Sequence, residues 1–390
     1  MTASKSYSPW LHRWAVLTAI FTFILLCSGG LVTSHGVGLA VPDWPNSFGY
    51  NMFAFPLSRW VQGVFFEHSH RLIATFVGLF TAILAAWIWA RETIGNTRTT
   101  AIVAIVAVLF LLGARVMPVY LSLAILAPLV IGFALVAFSR GDGGLRWLAV
   151  AALAAVILQG VLGGLRVVWL EDQIGIFHAL LAQSFFVFLS ILAVMTSRRY
   201  AEKRWADYEP HPTLRWWALA ATGLIFVQLG LGATMRHEHI GLSIPDFPLA
   251  YGQILPSTSP EAMAEINAVR AADHAMPTTA VQIWIQMGHR GFAGLIVLAV
   301  GIMAWNARHS ARATWLWSRI WVVMLCAQIG LGAWTIWSQK AADVATVHMA
   351  LGALSLLVGG LLTFRLFCGA KTSDFVLPDA PNSRLIAVCV

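Results

Sequence analysis

Apolar runs long enough to cross a bilayer as helices, which takes about 20 residues, recur from one end of the chain to the other. Short polar or basic stretches separate them. The runs predict helices over approximately 14–34, 65–90, 146–167, 175–197, 214–235, 284–306, 316–338 and 346–367. A further apolar stretch between Ile102 and Phe138 is broken by "GARVMPVY" at 113–120, where Arg115 and Pro118 mark a turn. It predicts an extra hairpin of two helices, the first rather short. Two helices preserve the orientation of everything downstream, whereas one would invert it. The expectation is ten spans.

Composition makes this a membrane reading. Charged residues are 11% of the chain, against roughly 25% in an ordinary soluble domain. Hydrophobic residues reach 59%, which would leave a soluble core no surface to show water. The fold class expected is all-α integral membrane.

The net charge of +8 raises nucleic acid as a partner, and its distribution argues otherwise. Basic residues gather at alternate helix ends: Lys5 and Arg13, Arg91 and Arg98, Arg140 and Arg146, the run from Arg198 to Arg215 with Lys203 and Arg204, then Arg308, Arg312 and Arg319, then Arg365 and Lys371. That is the positive-inside pattern, and it places both termini in the cytoplasm of a cell inner (cytoplasmic) membrane protein. Of the cysteines, Cys27 and Cys326 fall inside apolar helices, Cys368 at a cytoplasmic helix end and Cys389 in the tail, so no structural disulfide is expected. The first apolar run reads as a retained helix rather than a cleaved signal.

The chain then repeats itself. "GLAVPDWPNSFGY" begins at Gly38, and "GLSIPDFPLAYGQ" begins at Gly241. Each loop follows a long helix and precedes a helix that opens on His-Arg: "EHSHRLIA" at 67–74 and "QMGHRGFA" at 286–293. Next come "LQGVLGGLRV" at 158–167 and "AQIGLGAWTI" at 327–336, then "FHALLAQ" at 177–183 and "VHMALGA" at 347–353. A four-helix unit occurs twice in the same order, and an even number of spans keeps its orientation, so the repeat is parallel. The expected architecture is two pseudo-symmetric four-helix bundles: residues 1–205, with the extra hairpin at about 100–140, and residues 206–372, followed by a cytoplasmic tail at 373–390. The second unit carries a longer outer loop at 257–277 with room for a short surface helix. In both proline loops, Pro42 and Pro45 or Pro245 and Pro248 fix φ, and Asp43 or Asp246 can bond its local backbone. Such loops serve equally well to tie helices together or to touch a substrate.

Four histidines lie in the outer part of helices running inward: His70, His178, His289 and His348. Each unit supplies two, from its second and fourth helices, at what should be similar depth. An imidazole at membrane depth is costly without a partner and is functional by default. A pair on facing helices of a four-helix bundle is a standard way to hold a haem iron by two axial nitrogens. The small residues in "LGG", "GLG" and "LGA" let helices approach or leave room for a flat macrocycle. Zinc, the rival metal, wants three or four converging ligands; two separated pairs fit two haems better. A lone intramembrane histidine would read as a structural hydrogen bond, but matched positions in a repeat argue against that for four. His68 points to a different face from His70. His12, His211 and His309 lie at cytoplasmic ends, and His274 lies in the long outer loop. His35, His237 and His239, with Arg236, emerge where haem propionates could sit.

The units differ at one ionisable position. Glu67 stands three residues before His70, on one helix face, and the matching residue before His289 is Gln286. A buried carboxylate needs a partner or a proton, and Arg71 is within reach. The asymmetry suggests chemistry in the first unit and a held cofactor in the second. The plainer reading of Glu67 is a charge favoured by the helix dipole.

Taken together, "GGLVTSHGVGLAVPDWP", "GATMRHEHIGLSIPDFP", "EHSHR", "MGHR" and "LQGVLGG", with the single histidines His178 and His348, resemble the haem A synthase family, over the whole chain except the hairpin and part of the long outer loop. The resemblance implies two pseudo-symmetric bundles. It implies haem b as cofactor in the C-terminal one, on His289 and His348. It implies haem O as substrate in the N-terminal one, at His70 and His178, with Glu67 as the important glutamate. The reaction implied is oxidation of a haem methyl group to a formyl group. The implied partners are haem O synthase, the cytochrome oxidase assembly process and membrane lipid, with a homo-oligomer allowed. The chain departs from the pattern where many members carry outer-loop cysteines; Val41 and Ser47 lie nearby instead. Thr33 or Ser34 replaces the basic residue common after the first helix, while Arg236 survives in the second unit. Two rivals stand beside this reading: a di-haem b-type electron-transfer cytochrome, and a haem transporter or chaperone.

Overall fold

The computed structural model describes residues 7–113, 116–141, 144–202 and 213–373. Lys5, Arg115, Lys203, Arg204, His211, Cys389 and residues 374–390 of the expected tail lie outside the described residues.

Hydrocarbon offers a backbone no partners, so each apolar run must satisfy its own amides as a helix. The helices are α1 (Pro9–Ser34), α2 (Gln62–Glu92), α3 (Gly95–Gly113), α4 (Met117–Ser139), α5 (Leu145–Trp169), α6 (Asp172–Met195), the short α7 (Arg198–Ala201), α8 (Leu214–His237), the outer-loop α9 (Pro260–Ala272), α10 (Ala280–Ala307), α11 (Arg312–Trp337) and α12 (Ala342–Ser373). Ten of them are long and apolar enough to cross a membrane, α3 and α4 among them. The expected all-α membrane class and the extra hairpin are both borne out. The helices begin a few residues before the apolar runs because caps extend them. Ser8 accepts the Leu11 N–H ahead of Pro9, and Thr279 forms a reciprocal capping box with Gln282 at the start of α10. Among the described residues the one sheet is a minimal hairpin in the first outer loop, where β1 (Asn46–Ser47) pairs antiparallel with β2 (Tyr50–Asn51).

Helices α1, α2, α5 and α6 pack in a ring, each against its two neighbours, and α8, α10, α11 and α12 form a second ring in the same order. The extra hairpin lies outside the first ring, with α4 along α5 and α3 against α2 and α4. The rings meet through α1, α6, α8 and α12. Small residues allow the close approach: Gly30 sits beneath Met349 and Thr346, and Gly360 beneath Val187.

In each ring the apolar core fills the end away from the outer loops. Ala15, Val77, Leu84, Ile88, Leu148, Leu189 and Leu192 form the first core. Leu214, Ala218, Val300, Met303, Trp321 and Leu362 form the second. The four histidines lie toward the opposite end, about 9–14 Å along their helices from the outer starts at 1.5 Å per residue. Packing energy and the candidate chemistry therefore occupy different ends of the same helices.

Candidate functional site

Each histidine is seated on a glycine of a neighbouring helix. A Cβ added at Gly29 of α1 would lie 3.0 Å from His70 Cε1, and one at Gly163 of α5 would lie 3.0 Å from His178 Cε1. In the second ring the corresponding distances are 3.5 Å from Gly232 of α8 to His289 and 3.2 Å from Gly332 of α11 to His348. The small-residue motifs were read as space in general; the structure assigns one glycine to each imidazole.

All four rings also carry a buried Nδ1 without a hydrogen-bond partner. Four orphaned imidazole nitrogens at matched positions are expensive, and they are a donor set suited to iron. Within each ring the two imidazoles lie in electrostatic range of each other, His70 with His178 and His289 with His348. Among the described residues no three His, Cys, Asp or Glu side chains converge to hold a metal ion. The residues present fit two macrocycles with axial imidazoles.

Behind three of the histidines stands a glutamine. The side-chain amides of Gln159, Gln228 and Gln328 donate to the backbone carbonyls of His178, His289 and His348, each at 2.9 Å. These glutamines were missed as individual residues, although they stand in the motifs "LQGVLGG", "VQLGLGA" and "AQIGLGA". The spacing Gln-x-x-x-Gly, which puts both side chains on one helix face, was the available signal.

Glu67 is 4% exposed. Its Oε2 accepts the Val41 N–H at 2.8 Å and its Oε1 pairs with Arg71 at 2.7 Å. Arg71 also donates to the carbonyls of Val41, Asp43 and Asn46. Asp43 in turn accepts the N–H groups of Phe48 and Gly49. The second loop is held the same way. Gln286 Oε1 accepts the Ile244 N–H at 2.8 Å, Arg290 donates to the carbonyls of Asp246 and Leu249, and Asp246 accepts from Tyr251 and Gly252. Both Trp44–Pro45 and Phe247–Pro248 are cis. The proline loops are thus clasped by the opening turns of α2 and α10. Trp44 lies on Gly164 of α5 and against Tyr120 of α4, ring centroids 4.5 Å apart.

Three further histidines have contacts within the protein. His68 is buried, with Nδ1 3.1 Å from Ser47 Oγ and its ring between Phe55 and Trp60. His35 stacks on Phe66, and His237 packs on Gly175 at the start of α6. Arg236 reaches across the ring interface to Gly30 O and Ser34 Oγ. Lys340, in the turn between α11 and α12, lies near it. Burial, and then the Arg236 charge, hold the Lys340 ammonium below its ordinary pKa. Cations therefore gather at the outer rim beside the second pair.

The fold and site define a multi-pass helical membrane protein with two pairs of half-buried histidines, one pair in each of two matched helix rings. The chain belongs to the cytochrome oxidase assembly protein family, whose model matches residues 113–359. It is 23% identical to a protein of Lysinibacillus sphaericus named "Heme A synthase", over 94% of this chain and 97% of that one. A protein of Geobacillus kaustophilus with the same name is 23% identical over 96% of each chain, and one from a Caulobacter species is 24% identical over 90% of this chain and 94% of that one. The family resemblance read from the loop and histidine motifs is borne out.

Proposed function

We propose that this protein is a haem A synthase, an oxidoreductase that converts a methyl group of haem O to the formyl group of haem A. The observation that carries the reading is the doubled pair of glycine-seated histidines with orphaned Nδ1 atoms, in a chain whose full-length relatives are named for that synthesis. In this reading the unit of residues 1–205 takes the substrate between His70 and His178. The unit of residues 206–372 holds haem b between His289 and His348. When bound, haem b supplies one-electron transfer.

The chain's own residues then orient and charge-balance. His70 and His178 set the tilt and depth of the substrate ring. Glu67, one turn before His70, accepts a proton released from the oxidised carbon or stabilises positive charge developing there. Arg71 pairs with that carboxylate and fixes its position, and the clasped loop closes the outer end of the bundle against water. Arg236 and Lys340 provide charge complementary to carboxylates at the rim of the second site. The basic clusters at alternate helix ends support a cytoplasmic-membrane location with both termini inside, where haem O synthase and cytochrome oxidase assembly would be the working partners.

Extraction and mass analysis of porphyrins from membranes expressing the protein with a haem O supply tests this. Haem A is expected. Two haems that are never modified would instead mark a di-haem electron-transfer cytochrome, and unmodified haem carried across the membrane would mark a transporter.

A further inference from the structure

The two proline loops are clamped differently. In the second unit Phe247 is held from within its own ring of helices. The Trp337 indole lies edge-on to it, ring centroids 6.3 Å apart, and Trp337 Nε1 donates to the Phe247 carbonyl at 3.3 Å. Trp337 stands nine residues after Gln328 on α11, and the residue nine after Gln159 on α5 is Val168. Val168 is 41% exposed, and its side chain has neither an aromatic face nor a donor. The loop residue that matches Phe247 is Trp44, and it is held from outside the ring. It lies over Gly164 of α5, where the second unit has Ala333, and packs on Tyr120 of α4, ring centroids 4.5 Å apart. Tyr120 is 3% exposed, and its hydroxyl donates to the Leu112 carbonyl in the last turn of α3 at 2.9 Å, so both helices of the extra hairpin fix its ring. Val161 and Leu165 of α5 complete the cluster.

We propose that the extra hairpin replaces the aromatic clamp that α11 supplies in the second unit, with Tyr120 as a positioning residue for the first loop. Trp44 follows Asp43, whose carbonyl accepts from Arg71 at 2.7 Å, and Val41, two residues earlier, donates its N–H to Glu67 at 2.8 Å. Holding Trp44 therefore holds the two backbone groups that fix the Glu67–Arg71 pair. The contacts run from Tyr120 to Trp44, to the Asp43 carbonyl, to Arg71 and to Glu67. Gly164 lets the large indole enter against α5, and Tyr120 covers its other side. The consequence for turnover rests on the reading of Glu67 as the proton-accepting or charge-stabilising group; the clamp itself does not.

Hydrogen–deuterium exchange of the full chain in lipid nanodiscs, with no haem added, tests the clamp on peptides covering 38–48 and 241–251. Tyr120→Ala should raise the exchange rate of the first peptide about 5-fold, the equivalent of ~1 kcal/mol for a lost aromatic pair, and leave the second unchanged. Tyr120→Phe keeps the ring and loses only the bond to Leu112, so it should exchange as the wild type does. Adding Val168→Trp to Tyr120→Ala should restore protection, because it gives α5 the residue that α11 uses. Should Tyr120→Ala fail to accumulate, Tyr120→Leu removes the aromatic face while filling the space, and the same rise is expected. With haem O supplied, Tyr120→Ala should lower kcat for haem A about 10-fold while KM for haem O holds, since rate falls steeply when a reacting side chain is misplaced. A general loss of stability would lower haem b content as well. Unchanged exchange in the first loop, an equal rise in both loops, or a Tyr120→Phe protein as fast as Tyr120→Ala would overturn the proposal. No recovery with Val168→Trp would overturn the equivalence of the two clamps, and a looser first loop with undiminished kcat would overturn the positioning role. A wild type that makes no haem A would overturn the functional reading and leave the exchange result standing.

Discussion

Glu67 and Gln286 make the same bond. Each accepts a backbone N–H of its own proline loop, Val41 or Ile244, at 2.8 Å, and each stands three residues before a histidine. The loop-holding task therefore needs only an oxygen acceptor, and a neutral amide performs it in the second unit. What Glu67 adds is charge, paired with Arg71.

This separates structure from chemistry at residue 67. Glu67→Gln should keep the loop, the fold and the content of haem b, since Gln286 already makes the equivalent contact. Haem A production should fall by about 10²-fold or more, the usual contribution of a proton-transferring side chain. Porphyrin extraction beside a haem b spectrum measures both, and a normal haem A yield would remove Glu67 from the mechanism.

His289→Ala should lose the low-spin haem b signal while the protein still inserts, because the apolar core lies at the other end of the helices. A pyridine haemochrome assay of purified protein gives the stoichiometry. An unchanged spectrum would reject the second site.

The glycine seats differ in tolerance. Gly163→Ala places a Cβ 3.0 Å from His178, so the ring or its helix must shift, whereas Gly232→Ala meets His289 at an ordinary 3.5 Å. Gly163→Ala should weaken haem binding at the first site. Gly232→Ala should leave binding at the second unchanged and gain up to about 1 kcal/mol of helix propensity. Titration of each variant with protohaem compares them.

Gly164→Ala drives a methyl into the Trp44 ring, which is held from its other side by Tyr120. Overpacking of this kind typically costs about 1–3 kcal/mol. Thermal unfolding in detergent should show the loss. Trp44→Ala in the same background should recover part of it, since the clash is with that ring.

Arg71 donates to three carbonyls and one carboxylate from a single planar fork. Lysine is a point charge and cannot reproduce that geometry. Arg71→Lys should loosen the first loop, raising proteolysis between β2 and α2 and lowering haem A yield. Arg290→Lys should loosen only the second loop. Limited proteolysis with mass mapping distinguishes the two.

Much of this was legible in the chain. Runs of apolar residues must become helices in hydrocarbon, so their number and order follow from the sequence, including α3 and α4 around "GARVMPVY". The repeat carried the histidines with it, because a duplicated unit keeps its residues at equal depth. Even the Glu67–Arg71 pair could be read, since residues four apart share a helix face. The glutamines could not be given their task in advance, because a polar residue on an apolar helix has no meaning until the facing helix is known. Gln159 matters because α6 presents a carbonyl opposite it. Sequence by itself determined the spans, the doubling and the four imidazoles, all consequences of local backbone demand and internal symmetry. Tertiary structure alone decided which glycine seats which ring, which carbonyl each amide holds and how Glu67 clasps a loop, because those contacts join segments the chain keeps far apart.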